Sequence, residues 1–349
     1  MADCPSIAGL VEEARRHTTG TAMKSSAAAI LVLGAMALIG RSARAADCDQ
    51  ACLEGIAAAY RAAYLRHDPA LAPFARHVRY SENNAEMTFP DGTWDTVTAE
   101  VDTPLVLADP ATGEIGIYTS VLQRQTQGFL AIRLQVRDRH ITEVEHVIAT
   151  RRNVSAPPVP MGDILQYHRD PALSATVPVA ERLSRDAIRQ LADGYFSTLQ
   201  YNTGEIRGTR FAPGAVRHEN GVMWTDLEAG FRSGHYRYNN RVRDRDCFLV
   251  DEVRGFTMCR GFIDHKGVLD EYTLTDGTPA RSNYQEPQSW GFLEAFKVTK
   301  AGIVAVEATF SAVPYYLRSP WTKKPDPTYD ASKTQARHSA AHASGPASP

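Results

Sequence analysis

An internal repeat restricts the fold of this chain more than any other feature. The stretch "FARHVRYSEN" at 74–83 returns as "FAPGAVRHEN" at 211–220. Further on, "RLQVRDRHITEVE" at 133–145 aligns without gaps to "FKVTKAGIVAVE" at 296–307, so that Val136, Ile141, Val144 and Glu145 correspond to Val298, Ile303, Val306 and Glu307. A helical stripe precedes each opening motif: Ile56, Tyr60 and Tyr64 in the first copy, and Ile188, Leu191, Tyr195 and Leu199 in the second. The second stripe follows Ser184, a residue suited to capping a helix N-terminus. Order and spacing agree at three landmarks, which reads as a duplication.

The proline-rich stretch "NVSAPPVPMGDILQYHRDPALSATVPVAERLS" separates the copies. The expected domains are therefore 46–155 and 184–321, with a linker over 156–183 and a tail over 322–349. That tail is nearly devoid of apolar residues and cannot offset its ordering entropy, so it is expected to be disordered. The second copy is longer, and its extra length is expected to include the hairpin "DCFLVDEVRGFTMCRGF".

At the N-terminus, "MKSSAAAILVLGAMALIGRSARA" over 23–45 has the basic start, apolar run and Ala-x-Ala ending of a secretory signal. Translation is expected to start at Met23, leaving 1–22 untranslated or dispensable, with maturation after Ala45 and a periplasmic or secreted product. The alternative is a retained N-terminal anchor, which the short apolar run disfavours. Removal of the signal leaves Cys48, Cys52, Cys247 and Cys259, an even set that reads as disulfides in an exported chain. Cys247 and Cys259 lie equidistant from a turn near Val253 and Arg254, which pairs them across a hairpin; Cys48 and Cys52 are close enough to bridge at a helix start.

A helix followed by alternating strands, repeated, is an α+β architecture with helices on one face of a curved antiparallel sheet. "RYSENN", "DGTW" and "RLQVRDRHITEVE" in the first copy, with "RHENG", "FIDHKG", "EAFKV" and "VPYYLRSPW" in the second, resemble the nuclear transport factor 2-like (SnoaL-like) superfamily, in a secreted, duplicated type. The resemblance spans roughly 48–321 and implies tandem cone-shaped domains. It also implies a pocket between sheet and helices, in which catalytic members place an acid–base pair on an apolar wall. The superfamily holds isomerases, dehydratases, cyclases and non-catalytic modules, so the fold leaves function open.

A wall of that kind desolvates a carboxylate and raises its pKa, so the informative residues are polar ones in apolar stripes. Glu294 in "FLEAFKV" is in phase with Phe292, Phe296 and Val298, where the first copy has Ile132. It is the expected general base, the alternative being an edge position in water. Asp264 is in phase with Phe256, Met258 and Phe262, and His265 with Cys259 and Ile263; both are catalytic candidates, or caps of a strand before Gly267. His218 and Glu219 complete the catalytic set. Arg217 and Asn220 are expected at the substrate, unless Arg217 braces Glu219 and Asn220-Gly221 forms a turn. Lys297, whose strand parity counts against it, and Tyr80, Glu82 and Trp94 of the first copy are further binding candidates.

The formal charge of −2 gives no reason to invoke nucleic acid or an acidic membrane. No nucleotide loop, nucleophile elbow or metal-spaced histidine pair is present, so no metal and no cofactor are expected. The reading is an exported enzyme moving protons on a small organic molecule, an isomerase, dehydratase or lyase, whose two domains pack on each other. Its rival is a non-catalytic small-molecule binding protein.

Overall fold

The computed structural model describes residues 48–150, 160–282 and 284–322. The expected signal over 23–45, the residues before it, residues 151–159 and the expected tail beyond Thr322 lie outside the described residues.

In the first half, α1 (Gln50–Arg66) is followed by β1 (Phe74–Glu82), β2 (Ala85–Met87), α2 (Thr93–Thr96), β3 (Val97–Glu100), β4 (Leu105–Asp109), β5 (Glu114–Gln123), β6 (Thr126–Arg137) and β7 (His140–Thr150). The second half has α3 (Arg185–Tyr201), β8 (Phe211–Glu219), β9 (Val222–Trp224), α4 (Leu227–Arg232), β10 (Arg241–Asp251), β11 (Phe256–His265), β12 (Glu271–Thr273), β13 (Pro279–Arg281), β14 (Gln288–Thr299) and β15 (Gly302–Val313). One sheet runs β2-β1-β7-β6-β5-β3 with β4 on β5, the other β10-β11-β14-β15-β8-β9. The fold is α+β, with two tandem cones. Each sheet is antiparallel except for one parallel pair, β1 on β7 and β8 on β15.

The two helices start and stop for the same local reasons. Asp49 accepts from Cys52 N and Ser184 from Ala187 N, while His67 and Asn202 close the C-termini in the left-handed region. The buried faces are Leu53, Ile56, Tyr60 and Tyr64 on α1, and Ile188, Leu191, Tyr195 and Leu199 on α3. Asn83 and Asn84, like Asn220 and Gly221, take positive φ at the hairpin tips, the conformation of a two-residue primed turn. Asn83 and Asn220 also do the same second job, accepting from Ile148 N and Phe310 N at 2.9 Å.

Cys247–Cys259 and Cys48–Cys52 are disulfides. The cysteine hairpin is not the insertion expected from the sequence. β10–β11 holds the place that β4–β5 holds in the first cone, and its register continues that of β4–β5. The added piece is the 266–287 stretch carrying β12 and β13, where the first cone has a tight turn between β5 and β6.

The two sheets stack back to back. Leu105, Leu107, Tyr118 and Ala131 of the first sheet share one apolar cluster with Leu249, Phe256, Met258 and Leu293 of the second. The contact has a local two-fold character: Asp251 accepts from Ala108 N at 3.2 Å and Asp109 from Val250 N at 2.9 Å. Gly116 sits where a Cβ would come within 2.4 Å of Met258 Sδ, so the seam needs glycine there. The segment 160–183 is tied into the seam: Arg169 and Tyr167 both reach Glu307, at 3.2 and 2.9 Å. Each sheet thus has one face on its helices and one in the seam, and most of its central strands are buried on both faces.

Candidate functional site

The interior of the second cone is an aromatic core crossed by one polar line. Tyr195, Phe196, Phe231, Phe292, Phe296 and Phe310 pack with ring centroids between 5.0 and 5.6 Å for the pairs Tyr195–Phe296, Tyr195–Phe231, Phe196–Phe292 and Phe292–Phe310. Glu294 enters this core from β14, opposite Cys259 on β11 and Ala308 on β15. It is 1% exposed, so the edge-in-water alternative does not hold. Neither carboxyl oxygen completes a hydrogen bond among the described residues.

Burial pushes the Glu294 pKa up to about 8; Arg217 pulls it down, Glu219 pushes it further up, and the Tyr195 hydroxyl, within hydrogen-bonding reach of the carboxyl, lowers it. Arg217, projecting from β8, is the hub. It donates to Tyr195 Oη at 2.7 Å and to Tyr236 Oη at 3.0 Å, and its Nε lies 2.9 Å from Glu219. Burial would lower its pKa, but Glu219 and Tyr195 outweigh that and hold it charged. Both tyrosine oxygens accept from Arg217 and keep their own protons to donate, and burial keeps Tyr195 protonated.

The line continues to a cluster of rings at one end of the cone. Tyr238, Tyr284 and Trp290 are half-buried there and surround His265, which stacks on Tyr284 at 4.1 Å. Burial holds the His265 imidazole down at about 4, neutral at physiological pH, against the Tyr238 backbone and Asp264. Glu219 raises the pKa of both Tyr238 and Tyr284 after their burial, which places its charge between the hub and this aromatic rim.

Of the residues read from the sequence, Arg217 and Glu219 converge on Glu294, and His265 shares their face at the rim. The others do not. His218 alternates to the seam face, next to Tyr167 at a 5.7 Å ring separation, with Nδ1 4.0 Å from Glu307. Asp264 also faces away from the cone: Ser289, Arg241 and Arg243 bind it at 2.6, 2.7 and 2.9 Å. Its phase with Met258 is the phase of the seam, not of the pocket wall. Lys297 points into the seam too, donating to the carbonyls of Arg254 and Ala175, and burial lowers its pKa to about 8. Asn220 is the turn residue that its Asn-Gly context signalled, and it bonds Phe310.

The first cone carries a different set. Tyr80, Glu82 and Trp94 all face its interior: Tyr80 Oη donates to Glu82 at 3.2 Å, and Trp94 packs on Tyr60 and Phe89. The residue that sequence reading missed is His146. Its Nε2 is 2.7 Å from Tyr60 Oη, its Nδ1 is 3.4 Å from Tyr80 Oη, and burial drops its pKa to about 3. The signal was a histidine in phase with Val144 and Ile148, both core residues. His146 pairs across strands with Ile132, as Ala308 pairs with Glu294. Each cone therefore holds one titratable and one aliphatic residue at the same cross-strand pair, on opposite strands. In the first cone the polar member has hydrogen-bonding partners, and in the second it completes no hydrogen bond among the described residues. The described residues include no group of three or more His, Cys, Asp or Glu placed to hold a metal.

A family model described as a domain of unknown function (DUF8021) matches residues 181–310, the second cone. No curated protein matches the chain. Similar solved structures include a candidate polyketide cyclase from Xanthomonas campestris pv. campestris, 17% identical over 36% of this chain and 92% of that one, with a TM-score of 0.27. Another is an NTF2-like protein from Cytophaga hutchinsonii, 11% identical over 36% of this chain and 98% of that one, with a TM-score of 0.25. A third is an uncharacterized protein with a cystatin-like fold from Caulobacter vibrioides, 14% identical over 36% of this chain and 88% of that one, with a TM-score of 0.24.

Proposed function

We propose that the second cone takes up a small organic molecule and that Glu294 exchanges a proton with it, in an isomerisation, dehydration or lyase-type elimination. The observation that carries this reading is the Glu294 carboxyl, fully enclosed, with no completed hydrogen bond among the described residues and the Tyr195 hydroxyl alone in hydrogen-bonding reach, and beside a fixed guanidinium. A carboxyl that serves only the fold is rarely left in that state, because an unpartnered buried polar group costs about 1–3 kcal/mol. With a pKa of about 8 the group is mostly protonated at rest and populates both forms near neutrality, which suits it to give or take a proton. Tyr195 and Tyr236 are the donors for a developing oxyanion: Arg217 occupies a lone pair on each, and the Tyr195 proton turns from Glu294 to the substrate. Entry is through the aromatic rim of Tyr236, Tyr238, Tyr284 and Trp290. Export to an oxidising compartment belongs to the same proposal and is supported by the two disulfides. No helix among the described residues is long and apolar enough to cross a membrane.

The rim also favours a second reading, a binding protein that holds an aromatic or polyketide-like ligand without changing it. Incubation with a panel of cyclic ketones and β-keto esters in deuterium oxide, followed by proton NMR, separates the two. The enzyme reading expects solvent deuterium to enter at least one bound compound with the wild-type protein and not with Glu294→Gln. Binding at Tyr284 and Trp290 with no exchange, or equal exchange by both proteins, gives the binding reading the site.

A further inference from the structure

A second feature, independent of the cone, lies at the edge of the seam: a cleft of about 860 Å³ between the two sheets, floored by β5, β6 and β11 and closed at one side by Pro320 and Trp321. Six arginines and four carboxylates line it, with no lysine and no histidine, in a chain whose formal charge is −2. We propose that this cleft binds a small organic polyanion carrying carboxylate or phosphate oxygens.

The positive excess has identifiable owners. Arg79 is paired with Glu86 at 2.7 Å, and Arg133 lies 2.7 Å from Glu114 and 2.8 Å from Glu143. Among the described residues the hydrogen-bond partners of Arg137 and Arg189 are neutral, the Gln135 side chain and the Cys247 carbonyl. Arg245 bonds Ser197 and the Asp193 carbonyl, with the Asp193 carboxylate 3.5 Å away. Three guanidiniums at the rim are thus held in place while much of their donor capacity remains open. Deeper in, Arg260 is 5% exposed; one nitrogen lies 3.1 Å from Glu145, but its Nε makes no hydrogen bond. Burial lowers its pKa against the pull of Glu145, and Asp246 stands 3.8 Å from that Nε without completing a hydrogen bond, so the guanidinium keeps a donor that an incoming oxyanion would fill.

Guanidiniums of the cleft pack on aromatic rings. Arg133 and Arg260 lie 5.4 and 4.4 Å from the Phe248 ring, and Arg79 lies 4.4 Å from Trp321, whose indole nitrogen is anchored on Ser81. Planar guanidiniums fixed against rings present forked donors that match oxyanions in pairs, which explains an all-arginine cation set. The volume is in the range of small-molecule sites, roughly 300–1,000 Å³, and an organic anion fills it better than a bare inorganic one.

Calorimetric titration of the disulfide-intact full chain tests this, with citrate and inorganic phosphate as probes at an ionic strength matched with sodium chloride. The proposal expects one equivalent of at least one probe to bind, with affinity falling as salt rises. Arg189→Gln and Arg245→Gln, both partly exposed and checked for folding by near-ultraviolet dichroism, should each weaken binding about tenfold or more. Preference for citrate assigns the carboxylate class and preference for phosphate the ester class. Glu294→Gln should leave this binding unchanged, which keeps the result separate from that of the cone. The proposal is overturned by no binding beyond the chloride control, by binding that both arginine variants retain in full, or by binding that Glu294→Gln abolishes.

Discussion

Replacing Glu294 with Gln should change how stability depends on pH, in a direction fixed by its surroundings. The carboxyl has a pKa of about 8 in the folded chain against 4.5 when unperturbed. Between those values the native state keeps a proton that the unfolded state has released. Stability therefore falls as pH rises through this window, and the contribution is whole only below it. At about 1.4 kcal/mol for each tenfold difference in proton affinity, the full span amounts to at most about 5 kcal/mol, of which about 3 kcal/mol falls between pH 5 and pH 7. Glutamine keeps the shape and stays neutral at every pH, so the variant lacks this slope. Urea denaturation of both proteins, with disulfides oxidised, at about pH 5, 7 and 9 should show near-equal stabilities at the acid end. The variant should then be increasingly favoured, by several kcal/mol at pH 9, with unchanged m-values. Subtracting one curve from the other removes all other titrations common to both. A difference that stays flat from pH 5 to 9 would refute the enclosed, unpartnered carboxyl, and with it the acid–base role.

Other perturbations check neighbouring parts of the argument. His146→Phe should act in the opposite sense: the native pKa of about 3 lies below the usual 6.5, so wild-type stability is lost as pH falls through that window. The variant should lack that acid-side loss in the same denaturation series. Glu219→Gln removes the carboxylate beside Arg217, and the cost should be about 1–3 kcal/mol, read as a lowered melting temperature. The same variant should lower the pKa of Glu294, because one like charge is gone; an unshifted Glu294 titration would argue that Glu219 faces elsewhere. Replacing Cys247 and Cys259 together by serine should cost roughly 3 kcal/mol from the short loop the bond closes, and peptide mapping without reductant should recover the pair linked.

What the sequence made legible is what depends on neighbours along the chain. The helical stripes through Tyr60 and Tyr195, the Ser184 cap, the Asn220-Gly221 turn and the Cys247–Cys259 hairpin all follow from local spacing, and the repeat placed them twice. Strand parity likewise joined Glu294 to Phe292 and Phe296 and set Lys297 against them. Parity does not say which face is the cone. Alternation names an inside only where water lies on the other side, and here every residue of β11 is buried, Phe256 through His265. Asp264 and Glu294 thus look alike in the sequence, each in phase with apolar residues, yet one belongs to the seam and the other to the cone. The same ambiguity hid His146, whose partners Tyr60 and Tyr80 come from a helix and a strand far from it in the chain. The arginine cleft was out of reach for the same reason, since Arg133, Arg189, Arg245 and Arg260 meet only where the sheets stack back to back. The repeat and its local signals fix two cones; the stacking of those cones decides which buried charges find a partner and which are left without one.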